Sequence, residues 1–66
     1  MKLTVNGEAR EIADGATVAD LVAVLGLNAK KVAVERNLEI VPRSRYAATL
    51  LAEGDRIEIV AFVGGG

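Results

Sequence analysis

Arg56-Ile57-Glu58-Ile59-Val60-Ala61-Phe62-Val63, followed at once by Gly64-Gly65-Gly66, has the alternation of a strand and then no side chains at all. In an extended chain successive side chains face opposite ways, so Ile57, Ile59, Ala61 and Val63 share one face. Arg56, Glu58, Val60 and Phe62 take the other, which is half polar and half apolar. The turn Glu53-Gly54-Asp55 introduces this strand. Arg43 to Leu51 reads as a short helical or turn-rich crossover carrying Tyr46, Leu50 and Leu51. Glu39-Ile40-Val41-Pro42 is a brief extended piece, which Pro42 confines to a sheet edge or terminates. Lys31 to Arg36 alternates again, with Val32 and Val34 facing one way, and Asn37 marks a turn after it.

Further upstream, Val18, Leu21, Val22 and Leu25 recur at the spacing of one helical face. Thr17-Val18-Ala19-Asp20 has the form of a capping box at the helix start, and Gly26 suits a left-handed stop. Lys2 to Asn6 alternates, placing Leu3 and Val5 on one face. Asn6-Gly7 supplies the two positive-φ positions of a tight hairpin turn, with Glu8 to Ile12 as the return strand. The order is therefore hairpin, helix, strand, short strand, crossover, strand. It predicts an α+β domain, a mixed sheet of four to five strands packed on one main helix, and the natural closure is a β-grasp (ubiquitin-like) sheet. The first and last strands would lie side by side and parallel in its middle, which a long crossover between them permits.

The chain has 66 residues, enough for one domain, taken as 1–63 with a flexible tail at 64–66. It contains no Cys and no His, so disulfides, thiolate or imidazole metal ligands and the common nucleophile–base pairs are absent. No metal site is expected, and an autonomous enzyme is disfavoured. A formal net charge of −1 with scattered Lys and Arg gives no footprint for nucleic acid. No segment reads as a signal peptide or a membrane span, so the expected compartment is cytoplasmic.

Three terminal glycines arise by chance about 3 times in 10,000. Glycine adds nothing to a core and has the most entropy to lose on ordering, so such a tail does not serve stability. It does provide a thin thread that can enter a narrow cleft and present a carboxylate. Adenylation by ATP turns a carboxylate into a mixed anhydride open to sulfur attack, and the product is a thiocarboxylate. The site residues expected are Gly66 as the adenylation and thiocarboxylate position and Gly64 and Gly65 as the thread through a partner's active site. Val60 and Phe62, beside the tail and away from the core face, are candidates for a partner-docking surface. Arg43, Arg45, Arg56 and Lys30-Lys31 read first as solvated surface, Tyr46 as packing, and Thr17 with Asp20 as a structural cap.

Asn6-Gly7, Thr17 to Leu21, Val32-Ala33-Val34-Glu35-Arg36-Asn37, Ile40-Val41-Pro42-Arg43, Glu53 to Ile59 and Gly65-Gly66, in this order, resemble the ThiS family of sulfur carriers in thiamine biosynthesis. The resemblance covers essentially the whole chain. It implies a β-grasp fold, adenylation of Gly66 by a ThiF-like adenylyltransferase, sulfur from a sulfur-donor protein, and delivery to a ThiG-like thiazole synthase. It also implies that the chain binds no cofactor itself, ATP being used by the adenylating partner, and that it acts with neither nucleic acid nor membrane. Leu38 departs from the glycine the family often carries after the asparagine, which tells against a type I′ turn there. Gly64 exceeds the family's minimum of two glycines and reads as tether. The alternatives are a MoaD-like carrier for molybdopterin, a ubiquitin-like modifier passing Gly66 to a lysine, and a plain interaction module.

Overall fold

In the computed structural model, which describes residues 1–62, the chain folds from its turns outward. Strands β1 (Lys2–Val5) and β2 (Glu8–Glu11) pair antiparallel, joined through Asn6 at φ 50° and Gly7 at φ 82°. Those two left-handed residues make the two-residue turn whose twist matches that of the strands. Leu3 and Val5 are buried, whereas β2 is exposed along its length. A strand exposed on both faces that carries Glu8, Arg10 and Glu11 suits a sheet edge, where charge discourages pairing with another chain.

Helix α1 (Val18–Val24) starts with the expected reciprocal cap. The Thr17 amide donates to Asp20 Oδ2 at 2.9 Å and the Asp20 amide to Thr17 Oγ1 at 3.2 Å. At its end Gly26 adopts φ 73°. The Gly26 amide reaches the Ala23 carbonyl at 3.0 Å and the Leu27 amide reaches that of Val22 at 3.1 Å, the paired bonds of a Schellman stop. A helix of two turns has little stability alone. Val18, Leu21 and Val22, all buried against the sheet, hold it in place.

A 3₁₀ turn at Ala29–Lys31, capped by Asn28 Oδ1 accepting from the Lys30 amide at 2.9 Å, leads into β3 (Val32–Arg36). Alternation and turn residues carry no clear sign of this turn. β3 returns as β4 (Glu39–Val41) through Asn37 at φ 51° and Leu38 at φ 70°. The two-residue turn thus forms despite the leucine. Pro42 ends β4, as expected, and a second 3₁₀ turn covers Arg43–Arg45. Of the three large crossover residues, Tyr46 and Leu51 are buried but Leu50 is 60% exposed. Leu50 faces outward because it makes a single antiparallel bridge with Thr17, which aims Leu51 inward.

The last strand, β5 (Arg56–Ala61), lies in the middle of a five-stranded sheet ordered β2-β1-β5-β3-β4. It runs parallel to β1 and antiparallel to β3. One face of the sheet carries Leu3, Val5, Val34, Ile57 and Ile59 into the core with α1. The expected strand reached Val63 with Ala61 inward; β5 stops at Ala61, which is exposed, and Val63 lies outside the described residues. The inward pattern of β5 thus ends at Ile59, although Val32, the partner of Ala61 on β3, is still buried. No helix among the described residues is long and apolar enough to cross a membrane.

Candidate functional site: the end of the central strand

The glycines Gly64, Gly65 and Gly66 lie outside the described residues, so the site is defined by the point from which they depart. Four contacts fix that point. The Asn6 side chain continues the β1–β5 ladder where β1 has already turned away, accepting from the Ile59 amide at 2.7 Å and donating to the Ile59 carbonyl at 3.2 Å. On the other flank the Phe62 amide donates to the Lys31 carbonyl at 2.8 Å. Arg43 Nη2 in turn donates to the Lys30 carbonyl at 3.1 Å, tying the start of the crossover to the segment that holds Phe62. The sequence marked Asn6 only as a turn residue; its second task depends on a strand more than fifty positions away and leaves no local trace.

Val60 and Phe62 are 62% and 56% exposed, on the sheet face opposite α1. The register pairs Ala33 with Val60 and Glu35 with both Glu58 and Ile40, so Ala33, Ile40 and Val60 share this outer face. Ile40 is itself 67% exposed. A shallow groove of about 190 Å³ lies between β3, β4 and the chain's exit, with Ala33, Ile40, Pro42, Arg43 and Phe62 on its walls. Phe62 thus shares a groove with apolar residues of β3 and β4, while Val60, off its walls, lies beside Ala33. A larger open groove of about 550 Å³, between the Ile12–Ala16 loop and α1, shares no residue with it.

The one buried charged side chain among the described residues is Asp55, at the foot of β5. Burial pushes its carboxyl pKa up, but hydrogen bonds from Arg36 Nε (2.7 Å), Asn37 Nδ2 (3.0 Å) and the Ala52 amide (2.8 Å) outweigh that and hold it below the usual aspartate value. With every partner internal, Asp55 is a structural pin and has no free oxygen facing the exit. No group of three or more His, Cys, Asp or Glu suited to a metal ion occurs among the described residues. The Tyr46 hydroxyl is spent on the Val32 carbonyl at 3.1 Å, and Thr17 with Asp20 is spent on the helix cap. These described side chains are thus taken up by the fold itself, and the end of β5 is anchored on both flanks.

The ThiS family model matches residues 3–66. A thiazole synthase of Paramagnetospirillum magneticum is 56% identical over 66 residues, covering all of this chain and 20% of that protein. The sulfur carrier protein ThiS of Bacillus subtilis is 51% identical over 53 residues, 80% of each chain. The crystal structure of a thiamine biosynthesis protein (ThiS) from Geobacter metallireducens matches with a TM-score of 0.85 at 38% identity, over 100% of both chains. The chain spans about a fifth of the length of the thiazole synthases it matches.

Proposed function

The chain belongs to the ThiS family, the sulfur carriers of thiamine biosynthesis, and on that premise we propose that its working group is the carboxylate of Gly66. The observation that carries this reading is that the family match runs through residue 66, so the glycine triplet falls inside it. A ThiF-like adenylyltransferase would join the carboxylate to the AMP moiety of ATP, releasing pyrophosphate. Sulfide-level sulfur (HS⁻) supplied by a donor protein would then attack the acyl carbon and displace AMP, and loss of the thioacid proton would leave a thiocarboxylate. The thiocarboxylate sulfur is a better nucleophile than carboxylate oxygen, and a ThiG-like thiazole synthase would accept it. The likeness to part of proteins named thiazole synthase favours that recipient over a molybdopterin pathway.

In this reading the chain is a co-substrate and not a catalyst. It brings neither Cys nor His to the reaction, so acid, base and nucleophile come from the partners. Gly64 and Gly65 serve as the thread, since a side chain there would widen a segment that must pass a narrow entrance. Val60 and Phe62 supply the docking surface at the base of the thread, and the reactions belong to the cytoplasm.

The test is an intact-mass spectrum of the protein after incubation with ATP, a ThiF-like enzyme and sulfide. A gain equal to one oxygen replaced by sulfur, absent in a variant lacking Gly66, is the expected result. An unchanged mass, with the same enzyme active on another carrier, would refute the reading.

A further inference from the structure

The charges of this protein are sorted along its length in a way the carrier chemistry alone does not require. Its nine carboxylate side chains occupy positions 8, 11, 14, 20, 35, 39, 53, 55 and 58, and none falls within 21–34, 40–52 or 59–66. Those three empty intervals are the ones that meet where the chain leaves β5. Lys31 holds Phe62 through its carbonyl, Lys30 holds Arg43 the same way, and the Val32–Ala61 pairing completes the junction. Three cationic residues, Lys30, Lys31 and Arg43, therefore meet at the exit. All three residues are exposed, and among the described residues none of them forms an ion pair. The nearest acids on the sheet, Glu35 and Glu58, pair with each other further down β3 and β5.

Apart from the Arg43–Lys30 bond, folding gains nothing from gathering these charges. Three like charges around one junction repel, and a chain with net charge −1 had carboxylates available to neutralise them. Arg43 also lies on the wall of the apolar groove of Ile40, Pro42 and Phe62, so that ledge is edged by positive charge. It is open and shallow, unlike a concave cradle for a nucleotide's phosphates.

We propose that Lys30, Lys31 and Arg43 form a basic collar that steers the tail into its activating enzyme, whose cleft entrance carries an acidic rim beside an apolar ledge. The proposal rests on the carrier reading and deepens it by specifying the partner's surface. Complementary charge at the mouth of a cleft raises the rate of encounter and fixes orientation, here with the tail foremost. The apolar contacts then set the lifetime of the complex. The collar faces an acidic protein surface in the complex before any nucleotide reacts.

The test is the association rate constant of the full chain with a ThiF-like enzyme, measured without ATP from low to high salt. Lys30→Glu with Lys31→Glu is expected to lower it about tenfold at low salt and to flatten its salt dependence. Lys30→Ala with Lys31→Ala should give roughly half the logarithmic loss. Lys2→Glu with Arg56→Glu changes net charge equally at the foot of the sheet, and should stay within about twofold of wild type. Equal losses in the two charge-reversed variants would mean that net charge alone matters, and would overturn the proposal. So would a deficit seen only when ATP is present, which would assign the collar to phosphate. If the wild-type chain fails to bind, the carrier reading falls and takes the collar with it; wild-type binding indifferent to all variants sinks the collar alone.

Discussion

Replacing Leu38 by glycine should make this protein more stable. Leu38 sits at φ 70° in the β3–β4 turn and is 84% exposed, so it combines an unfavourable backbone with almost no packing. A left-handed conformation costs a residue with a Cβ roughly 1–2 kcal/mol relative to glycine. Against this, glycine has more freedom to lose on folding, worth about 0.4–1 kcal/mol. The difference is a net gain of about 0.5–1 kcal/mol. For a domain of this size 1 kcal/mol moves Tm by about 4–8 °C, so Leu38→Gly should melt about 3–6 °C higher. Asn37 keeps the turn in place in either case, because its amide and side chain bond the Arg56 backbone at 2.8 and 3.0 Å.

Thermal unfolding followed by circular dichroism measures this directly, with Leu38→Ala as the control. Alanine retains the Cβ and thus the strain, so its Tm should stay within about 2 °C of wild type. A Tm for Leu38→Gly at or below the wild-type value would refute the reasoning and show that the leucine contributes through contacts its exposure does not suggest. Thiocarboxylate formation should be unaffected, since this turn lies at the end of β3 away from the exit.

Phe62→Ala should weaken binding to the activating enzyme by about tenfold, the size of a moderate interface anchor, while Tm moves by no more than about 2 °C. Titration calorimetry would show it, and an unchanged Kd would remove Phe62 from the docking surface. Asp55→Ala should destabilise by about 2–3 kcal/mol in urea, because Asn37 and the Ala52 amide lose their acceptor; Arg36, one-third exposed, can rehydrate and caps the loss. The Asp55 carboxyl is held below its ordinary value of 3.8, so its contribution is complete above that pH and is lost as pH falls through the lower folded value. Wild-type stability should therefore drop more steeply below pH 3.8 than that of Asp55→Ala. The Met1 ammonium is raised above 8.0, first by its hydrogen bond with Asp14, against desolvation, and then by the charges of Asp14 and Glu11. Its contribution is complete below 8.0 and is lost as pH rises through the folded value; Nα-acetylated protein should lack this alkaline dependence in urea titrations.

How much of this was legible in the sequence depends on the distance over which each feature is decided. Asn6-Gly7, Thr17 with Asp20, and Gly26 act on their immediate neighbours, so reading them locally placed the hairpin and both ends of α1 correctly. The same holds for Pro42 at the end of β4. Asp55 could be read only as a turn residue, because its partners Arg36 and Asn37 lie 19 and 18 positions away. Leu38 misled for the opposite reason. Local preference opposed a turn that tertiary pairing imposed, with β3 and β4 in register and Asn37 fastened to Arg56. Alternation carried the last strand inward to Val63, but alternation cannot report where burial along a strand ends, and Ala61 is already exposed. Val60 and Phe62 were correctly placed on the outer face by the same alternation. The cations around them came together only through the Phe62–Lys31 and Arg43–Lys30 bonds.

The position of β5 gives a physical reason for building a carrier this way. A partner that takes hold of residues 63–66 applies its binding energy to the end of β5. Had that strand been an edge, such as β2 or β4, it would be bonded on one side only and could peel away, spending the energy on local unfolding. Instead β5 is bonded to β1 on one side and β3 on the other, and Asn6 extends the first of these ladders to Ile59. To free it, both ladders and the Ile57 and Ile59 packing must be broken together, which amounts to unfolding the domain. The parallel β1–β5 pairing, which requires the whole chain to be laid down between the two strands, is thus what anchors the point from which the tail departs. On the reading proposed above, reactivity would reside in the glycine thread, and recognition in the outer face of the sheet and the charges beside it.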